Sequence, residues 1–244
     1  MSELFPGLPP SPRPHGRPHC AGFTLVEMIM VITITGIIAG MVAVFIRAPV
    51  EGYVDAVRRA EMTDQADIAL RRIAREVRRA LPNSLRMTGD GFEFISTKSG
   101  GRYRDPADGS TGGDFLDFTD AADLSFDVLG LLPEIAVGDR IVVYNLGTGY
   151  APADAYGGGN VARVSAIAGN TITMQSNPYA AQSPPLPSPS GRFQVVDQNE
   201  LVVRYRCTGG VLRRFQGCTL ATPSVCAGTG NVLAGGGGTN VACT

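Results

Sequence analysis

The sequence predicts an α+β protein, a long N-terminal helix followed by an antiparallel, β-rich head, and three observations predict it. Residues 23–46 are apolar, with Glu27 as their one ionisable side chain. Residues 50–81 carry apolar side chains at mostly three- and four-residue spacing, one stripe along a helix. From about residue 90 the apolar period falls to two, in short runs separated by stretches rich in Gly and Pro. The 31 Gly and 17 Pro among 244 residues exclude a mainly helical chain. With 44% hydrophobic and 18% charged residues, the chain is also too apolar to be wholly disordered.

The elements follow in order. Residues 1–22 are rich in Pro and Gly, carry Arg13, His15, Arg17 and His19, and read as a leader. Residues 23–46 make a helix roughly 36 Å long, enough for a hydrocarbon core of roughly 30 Å, and Arg47 closes this transmembrane span. Residues 47–82 read as an amphipathic helix. Its stripe is Val50, Val54, Val57, Ala66, Leu70, Ile73, Val77 and Leu81. Its acids come early (Glu51, Asp55, Glu61, Asp64, Asp67) and its arginines late (Arg71, Arg72, Arg75, Arg78, Arg79), an order that complements the helix dipole. Asp55–Arg59 and Asp67–Arg71 are i,i+4 pairs in the favourable orientation, and Pro82 stops the helix.

Residues 83–244 form the head, whose strands fall at Phe92–Ser96, Phe115–Phe118, Leu124–Val128, Ile141–Asn145, Val161–Ala168, Thr171–Gln175, Phe193–Val196, Leu201–Cys207 and Val211–Phe215. Gly169-Asn170 and Thr208-Gly209-Gly210 read as hairpin turns. Residues 227–240 are nearly all small and polar and read as mobile.

Absent side chains narrow the chemistry. His15 and His19 are the only histidines and Lys98 the only lysine. Once the leader is removed, no histidine remains for a nucleophilic triad or a His-ligated zinc site. Lys98 follows Ile95-Ser96-Thr97 and so belongs to no Walker loop, while Gly147-Thr148-Gly149 and Gly228-Thr229-Gly230 lack the third glycine of a dinucleotide fingerprint. The sequence is read as non-enzymatic, with no cofactor and no metal. A net charge of −1 gives no reason to expect nucleic acid, and the arginine-rich turn at 71–79 reads as a solvated helix end.

The cysteines are Cys20, Cys207, Cys218, Cys226 and Cys243. Four of them lie beyond the membrane segment, an even number that fits two disulfides in an oxidising compartment. Three pairings are open. Cys207–Cys218 across the last hairpin and Cys226–Cys243 around the Gly-rich tail are the favoured ones. A four-cysteine zinc site lacks its usual close spacing.

The most informative stretch is Gly22-Phe23-Thr24-Leu25-Val26-Glu27. A general signal peptide has an apolar region of roughly 7–15 residues, and here the block is longer and has an acid near its start. A carboxylate inside a bilayer costs roughly 2.5–3.5 kcal/mol on insertion scales, so Glu27 either snorkels to the interface or meets a positive charge when subunits pack. The stretch resembles the class III signal of type IV pilins. That resemblance implies a pilin-like fold, cleavage by a prepilin peptidase between Gly22 and Phe23, and methylation of the new Phe23 amine. It also implies an assembly role for Glu27, which would neutralise the Phe23 ammonium of a neighbouring subunit.

Further along, Glu51-Gly52-Tyr53-Val54-Asp55, residues 69–84, residues 125–130 and residues 138–147 resemble the MshO-type minor pilins of mannose-sensitive haemagglutinin (MSHA) pili. The implied protein is a minor pilin in the inner membrane, single-pass, with its head in the periplasm, joining a pilus with other pilins as partners. A type II secretion pseudopilin shares the same signal and helix, and a single-pass periplasmic binding protein is the third reading.

Three weaker features have bland alternatives. Gly36 and Gly40 have the spacing of a helix-packing motif. Asp105, Asp108, Asp114 and Asp117 flank a Gly-rich loop without EF-hand spacing and read as turn formers rather than a calcium site. Tyr144, Tyr150 and Tyr156 read as ordinary strand and loop residues.

Overall fold

The computed structural model of the chain describes residues 22–106, 112–228 and 230–234. They fall in two compact units, residues 1–56 and 57–244. The helix α1 runs Leu25–Val77. In the first unit it is long and apolar enough to cross a membrane, and its side chains from Leu25 to Ile46 are exposed. Among the described residues nothing buries them. The two threonines of this stretch suit a hydrocarbon medium. The Thr33 hydroxyl donates to the Ile29 and Met30 carbonyls, both at 2.9 Å, and the Thr35 hydroxyl to the Val31 carbonyl at 2.5 Å. Neither needs water, which hydrocarbon does not supply.

In the second unit, the last turns of α1 lie on an antiparallel sheet. Ile73 and Val77 pack with Phe94, Val203 and Tyr205, and Ala69 is buried. Asp67 and Arg71 form the expected pair at 2.7 Å. The expected stripe is corrected at Val50, Val54 and Leu70, which are 51%, 40% and 63% exposed. The covered face follows Ala66, Ala69, Ile73 and Val77, one helical turn at a time, and Leu70 lies about 100° away from Ala69. The α-helix also stops before the turn expected at Pro82. The Arg79 and Ala80 N–H groups donate to the Glu76 and Val77 carbonyls at 3.0 Å, the Leu81 N–H donates to the Ile95 carbonyl at 2.8 Å, and Ala80 bridges Ser96. Sheet pairing thus takes the backbone groups that a last helical turn would have used.

The strands are β1 (Arg86–Thr88), β2 (Gly91–Ile95), β3 (Ser99–Tyr103), β4 (Ser125–Leu129), β5 (Arg140–Val143), β6 (Val161–Ala168), β7 (Thr171–Met174), β8 (Arg192–Val196), β9 (Val202–Thr208), β10 (Val211–Cys218) and β11 (Asn231–Ala234). They make two sheets: a five-stranded one in the order β1-β2-β9-β10-β11, and a closed barrel in the order β3-β4-β7-β6-β5-β8. The barrel is filled by Phe126, Ile141, Ile172, Tyr179, Phe193 and Val195 among others. A shared apolar cluster that includes Leu81, Ile95, Val142, Val196 and Val202 joins barrel to sheet.

Both expected hairpins are present. Gly209 (φ +60°) and Gly210 (φ +72°) form the two-residue turn between β9 and β10, a left-handed pair that only glycine adopts freely. Residues 231–234, expected to be mobile, instead form β11 along β10. Phe115–Phe118 is not a strand. The Asp117 carboxylate takes the N–H groups of Thr119 and Asp120 at 2.5 and 3.1 Å, a turn that ends any ladder, and Leu116 and Phe118 join the barrel core.

Candidate processing and assembly site

Gly22, Phe23 and Thr24 precede α1 in non-helical backbone. Thr24 caps the helix: its hydroxyl oxygen accepts the Glu27 N–H at 3.3 Å, and its carbonyl accepts the Met28 N–H at 3.2 Å. Thr24-Leu25-Val26-Glu27 is therefore an N-cap with an acid at the third helical position, both favourable where backbone N–H groups are unpaired. The cap leaves the Gly22–Phe23 bond outside the helix, with Gly22 exposed and Phe23 76% exposed. A Cβ built on Gly22 would meet nothing within 4 Å, so the fold itself does not require glycine there. Glu27 is exposed in the first turn, and among the described residues no basic group lies in ion-pair range of it. Among the described residues the nearest in sequence is Arg47, twenty residues and roughly 30 Å along the helix.

Residues 17–43 match the prokaryotic N-terminal methylation motif. This is a type IV pilin-like prepilin signal, and it supports a pilin or pseudopilin that is handled by a prepilin peptidase and assembles with other pilins. With the apolar helix behind it, the motif points to membrane anchoring. No curated protein and no solved structure matches the chain. The prepilin motif covers Gly22, Phe23 and Glu27 together, so the three residues singled out from the sequence sit within a few positions of one capped helix end. Thr24 was missed as the cap, although Thr-x-x-Glu ahead of an apolar run is its sequence signature.

In the head, the cysteines pair differently from the favoured reading. Cys218 bonds Cys226, and Cys207 is held in a separate disulfide. Cys243 lies outside the described residues. The hairpin register explains the correction. Cys207 stands opposite Leu212 near the turn, whereas Cys218 stands opposite Val202. The two sulfurs are thus about five residues, roughly 16 Å, apart along the ladder, far beyond disulfide reach. The loop closed by Cys218–Cys226 is secured by Arg86. Its guanidinium donates to the Ala221 carbonyl (2.5 Å), the Thr222 hydroxyl (2.7 Å), the Ser224 hydroxyl (2.9 Å) and the Glu93 carboxylate (2.5 Å). It also lies 3.6 Å above the centre of the Tyr156 ring.

A second network ties the last turn of α1 to the sheet. Glu76 accepts hydrogen bonds from Arg214 (2.7 Å), Tyr205 (2.8 Å) and Arg72 (3.0 Å), and Arg214 also pairs with Glu200. Burial pushes the Glu76 carboxyl upward, but these hydrogen bonds outweigh it and hold the group below the usual carboxylate range. Burial similarly drives the Tyr205 hydroxyl above its ordinary value, with Glu76 adding to the shift.

Two of the acids beside the Gly-rich loop, Asp114 and Asp117, are used as turn and ladder acceptors. Asp114 accepts the Ser125 hydroxyl at 2.6 Å, and Asp117 is held below its ordinary value by the Thr119 hydroxyl and by backbone N–H groups. Asp108 lies outside the described residues. Tyr156 is buried and donates to the Ser84 carbonyl at 2.9 Å, while Tyr150 is exposed.

Proposed function

We propose that the chain is a non-catalytic minor pilin-like subunit of an MSHA-type pilus, cut between Gly22 and Phe23, methylated on the new Phe23 amine, and held in the filament through its apolar helix. The observation that carries this reading is the capped helix end, where the Gly22–Phe23 bond is free of the helix and Glu27 has no basic partner of its own among the described residues. The prepilin motif supplies the processing step. Glu27 then neutralises the Phe23 ammonium of a neighbour, because a buried carboxylate and a buried ammonium are each tolerable only when paired. Residues 1–22 act as leader, 23–46 as membrane span, and 83–244 as a periplasmic head stiffened by disulfides. The MSHA placement rests on the likeness of residues 51–55, 69–84, 125–130 and 138–147 to the MshO-type subunits.

Intact mass of protein made together with a prepilin peptidase tests the reading. The expected product begins at Phe23 and carries one added methyl group, and Gly22→Val leaves the precursor uncut. A chain cut after residue 40, as by a general signal peptidase, would overturn it. Recovery in sheared pili supports the pilus placement. Recovery only with a secretion apparatus would replace it with the pseudopilin role.

A further inference from the structure

The barrel is an excursion from the five-stranded sheet. β2 and β9 pair from Gly91↔Arg206 to Ile95↔Val202, so the chain leaves the sheet after Ile95 and returns beside the same point. There the Ser96 N–H donates to the Leu201 carbonyl at 3.2 Å. On β3 and β8, residues alternate in and out. Tyr103, Phe193 and Val195 fill the interior, while Gly100, Arg102, Arg192 and Gln194 face outward. In the register, Arg102 stands directly opposite Arg192 and Gly100 opposite Gln194. The Ser99 and Val195 end adjoins the sheet connection, so the arginines sit toward the other end of these strands.

Two like charges opposite each other on neighbouring strands destabilise a sheet. The Arg192 guanidinium makes no hydrogen bond or ion pair with any described residue. Arg102 donates Nε to the Ser190 carbonyl at 3.0 Å, which orients it. Among the described residues no carboxylate lies in ion-pair range of either. Between them opens a trough of about 410 Å³ lined by Gly100, Arg102, Leu131, Arg192 and Gln194. A Cβ on Gly100 would sit 2.8 Å from the Gln194 side chain and 3.0 Å from the Phe193 carbonyl, so glycine keeps the floor open. Leu131, on the rim, is 94% exposed.

The lining selects the ligand class. A closed barrel has no free strand edge for a peptide to extend. A helix would need an apolar groove, and the apolar side chains here are the exposed Leu131, the half-buried Leu129 and the buried Phe193. Single-stranded nucleic acid would need an exposed aromatic platform, and Phe193, the trough's aromatic, is buried. What remains is a planar, carboxylate-matching guanidinium pair, an amide for hydroxyl groups and a small apolar patch. We propose that the outer face of the barrel at Arg102 and Arg192 binds the carboxylate-bearing sugar residues of an acidic polysaccharide. The guanidiniums take the carboxylate, Gln194 bonds ring hydroxyls, and Leu131 covers a sugar face. This binding goes beyond the pilin reading and does not depend on N-terminal processing.

The test measures binding of the purified full chain in detergent to polygalacturonate at low salt, with dextran, polyglutamate and a single-stranded oligonucleotide as comparison probes. The expected result is polygalacturonate binding in preference to the other three. Arg102→Gln with Arg192→Gln should weaken it by about tenfold or more. Gly100→Leu should weaken it as well, without changing charge. Arg140→Gln with Arg163→Gln removes the barrel's other opposed arginine pair and should leave binding unchanged. Near-ultraviolet circular dichroism verifies that each variant is folded. Absence of polygalacturonate binding, retention of it in folded trough variants, equal loss in the Arg140/Arg163 variant, or tighter binding of any comparison probe would each overturn the proposal.

Discussion

Arg86→Ala is the most revealing single change in the head, because one guanidinium serves β1, the disulfide loop and the barrel side at once. Arg86 is 15% exposed and its partner Glu93 only 1%. Removing the arginine leaves a buried carboxylate whose other basic neighbour, Arg204, stands at 3.8 Å. Breaking a buried pair typically costs about 3–5 kcal/mol. Arg204 offsets part of that loss, while the freed Ala221, Thr222 and Ser224 acceptors and the lost Tyr156 stacking add to it. A loss of about 3 kcal/mol is therefore the conservative figure. For a unit of this size that lowers Tm by about 6–12 °C.

The assay is thermal unfolding of the full chain in detergent, followed by near-ultraviolet circular dichroism to report head packing. Two companion variants test the cause. Arg86→Lys keeps the charge, but an ammonium cannot span four acceptors and a ring face, so its Tm falls between wild type and Arg86→Ala. Arg86→Ala with Glu93→Gln removes the stranded charge and recovers part of the loss. A drop of under about 1 kcal/mol for Arg86→Ala, or a double variant no better than the single, would refute the assignment of Arg86 as the clasp of this loop.

Two further outcomes follow from the other charged groups. Glu76 is held below its ordinary value of 4.5 in the folded chain; a depressed folded value gives stability that is present above the unfolded value and lost as pH falls through the folded one. Head stability in acid titrations should thus decline below about pH 4.5 with a contribution that Glu76→Gln removes, and identical acid profiles for the two proteins would show that the network does not act through this carboxyl. Glu27→Gln should be cut normally but recovered with partner pilins about a hundredfold less, since one member of a buried pair is gone; normal recovery would favour snorkelling.

The sequence made the helix legible because its signals are local. An apolar block with one acid and a stripe at helical spacing need no knowledge of distant residues, whereas the helix end, at Val77 and not beside Pro82, is set by sheet pairing. The barrel was not legible in that way. β3 reads Ser-Gly-Gly-Arg-Tyr, whose glycines argue against a strand. It is a strand because Gly101 lies opposite Phe193, and a Cβ there would come within 2.7 Å of that ring. Likewise β1 is three residues long and exists through its pairing with β2 and the reach of Arg86 to a loop more than 130 residues away. The disulfide pairing failed for a related reason. Flanking a hairpin says that two cysteines are near in sequence, while the register decides whether they are near in space.

The site at the helix start has the opposite character, and comparing glycines shows why. At Gly91 a Cβ would collide with the Tyr205 carbonyl, so the sheet accounts for that residue in full. At Gly22, Gly36 and Gly40 a Cβ meets nothing within 4 Å. The same holds for charge. Glu93 and Glu76 are explained by arginines in their own fold, whereas Glu27 has no such arginine among the described residues. Gly91, Glu76 and Glu93 are thus explained by contacts with residues of the head. Gly22, Gly36, Gly40 and Glu27 all lie within the prepilin motif, and on the proposed reading their contacts come from the peptidase, the membrane and a neighbouring subunit. That division is also why the motif was readable from sequence. Its residues stand at fixed local spacing, and no tertiary contact within the chain has to be known before they can be recognised.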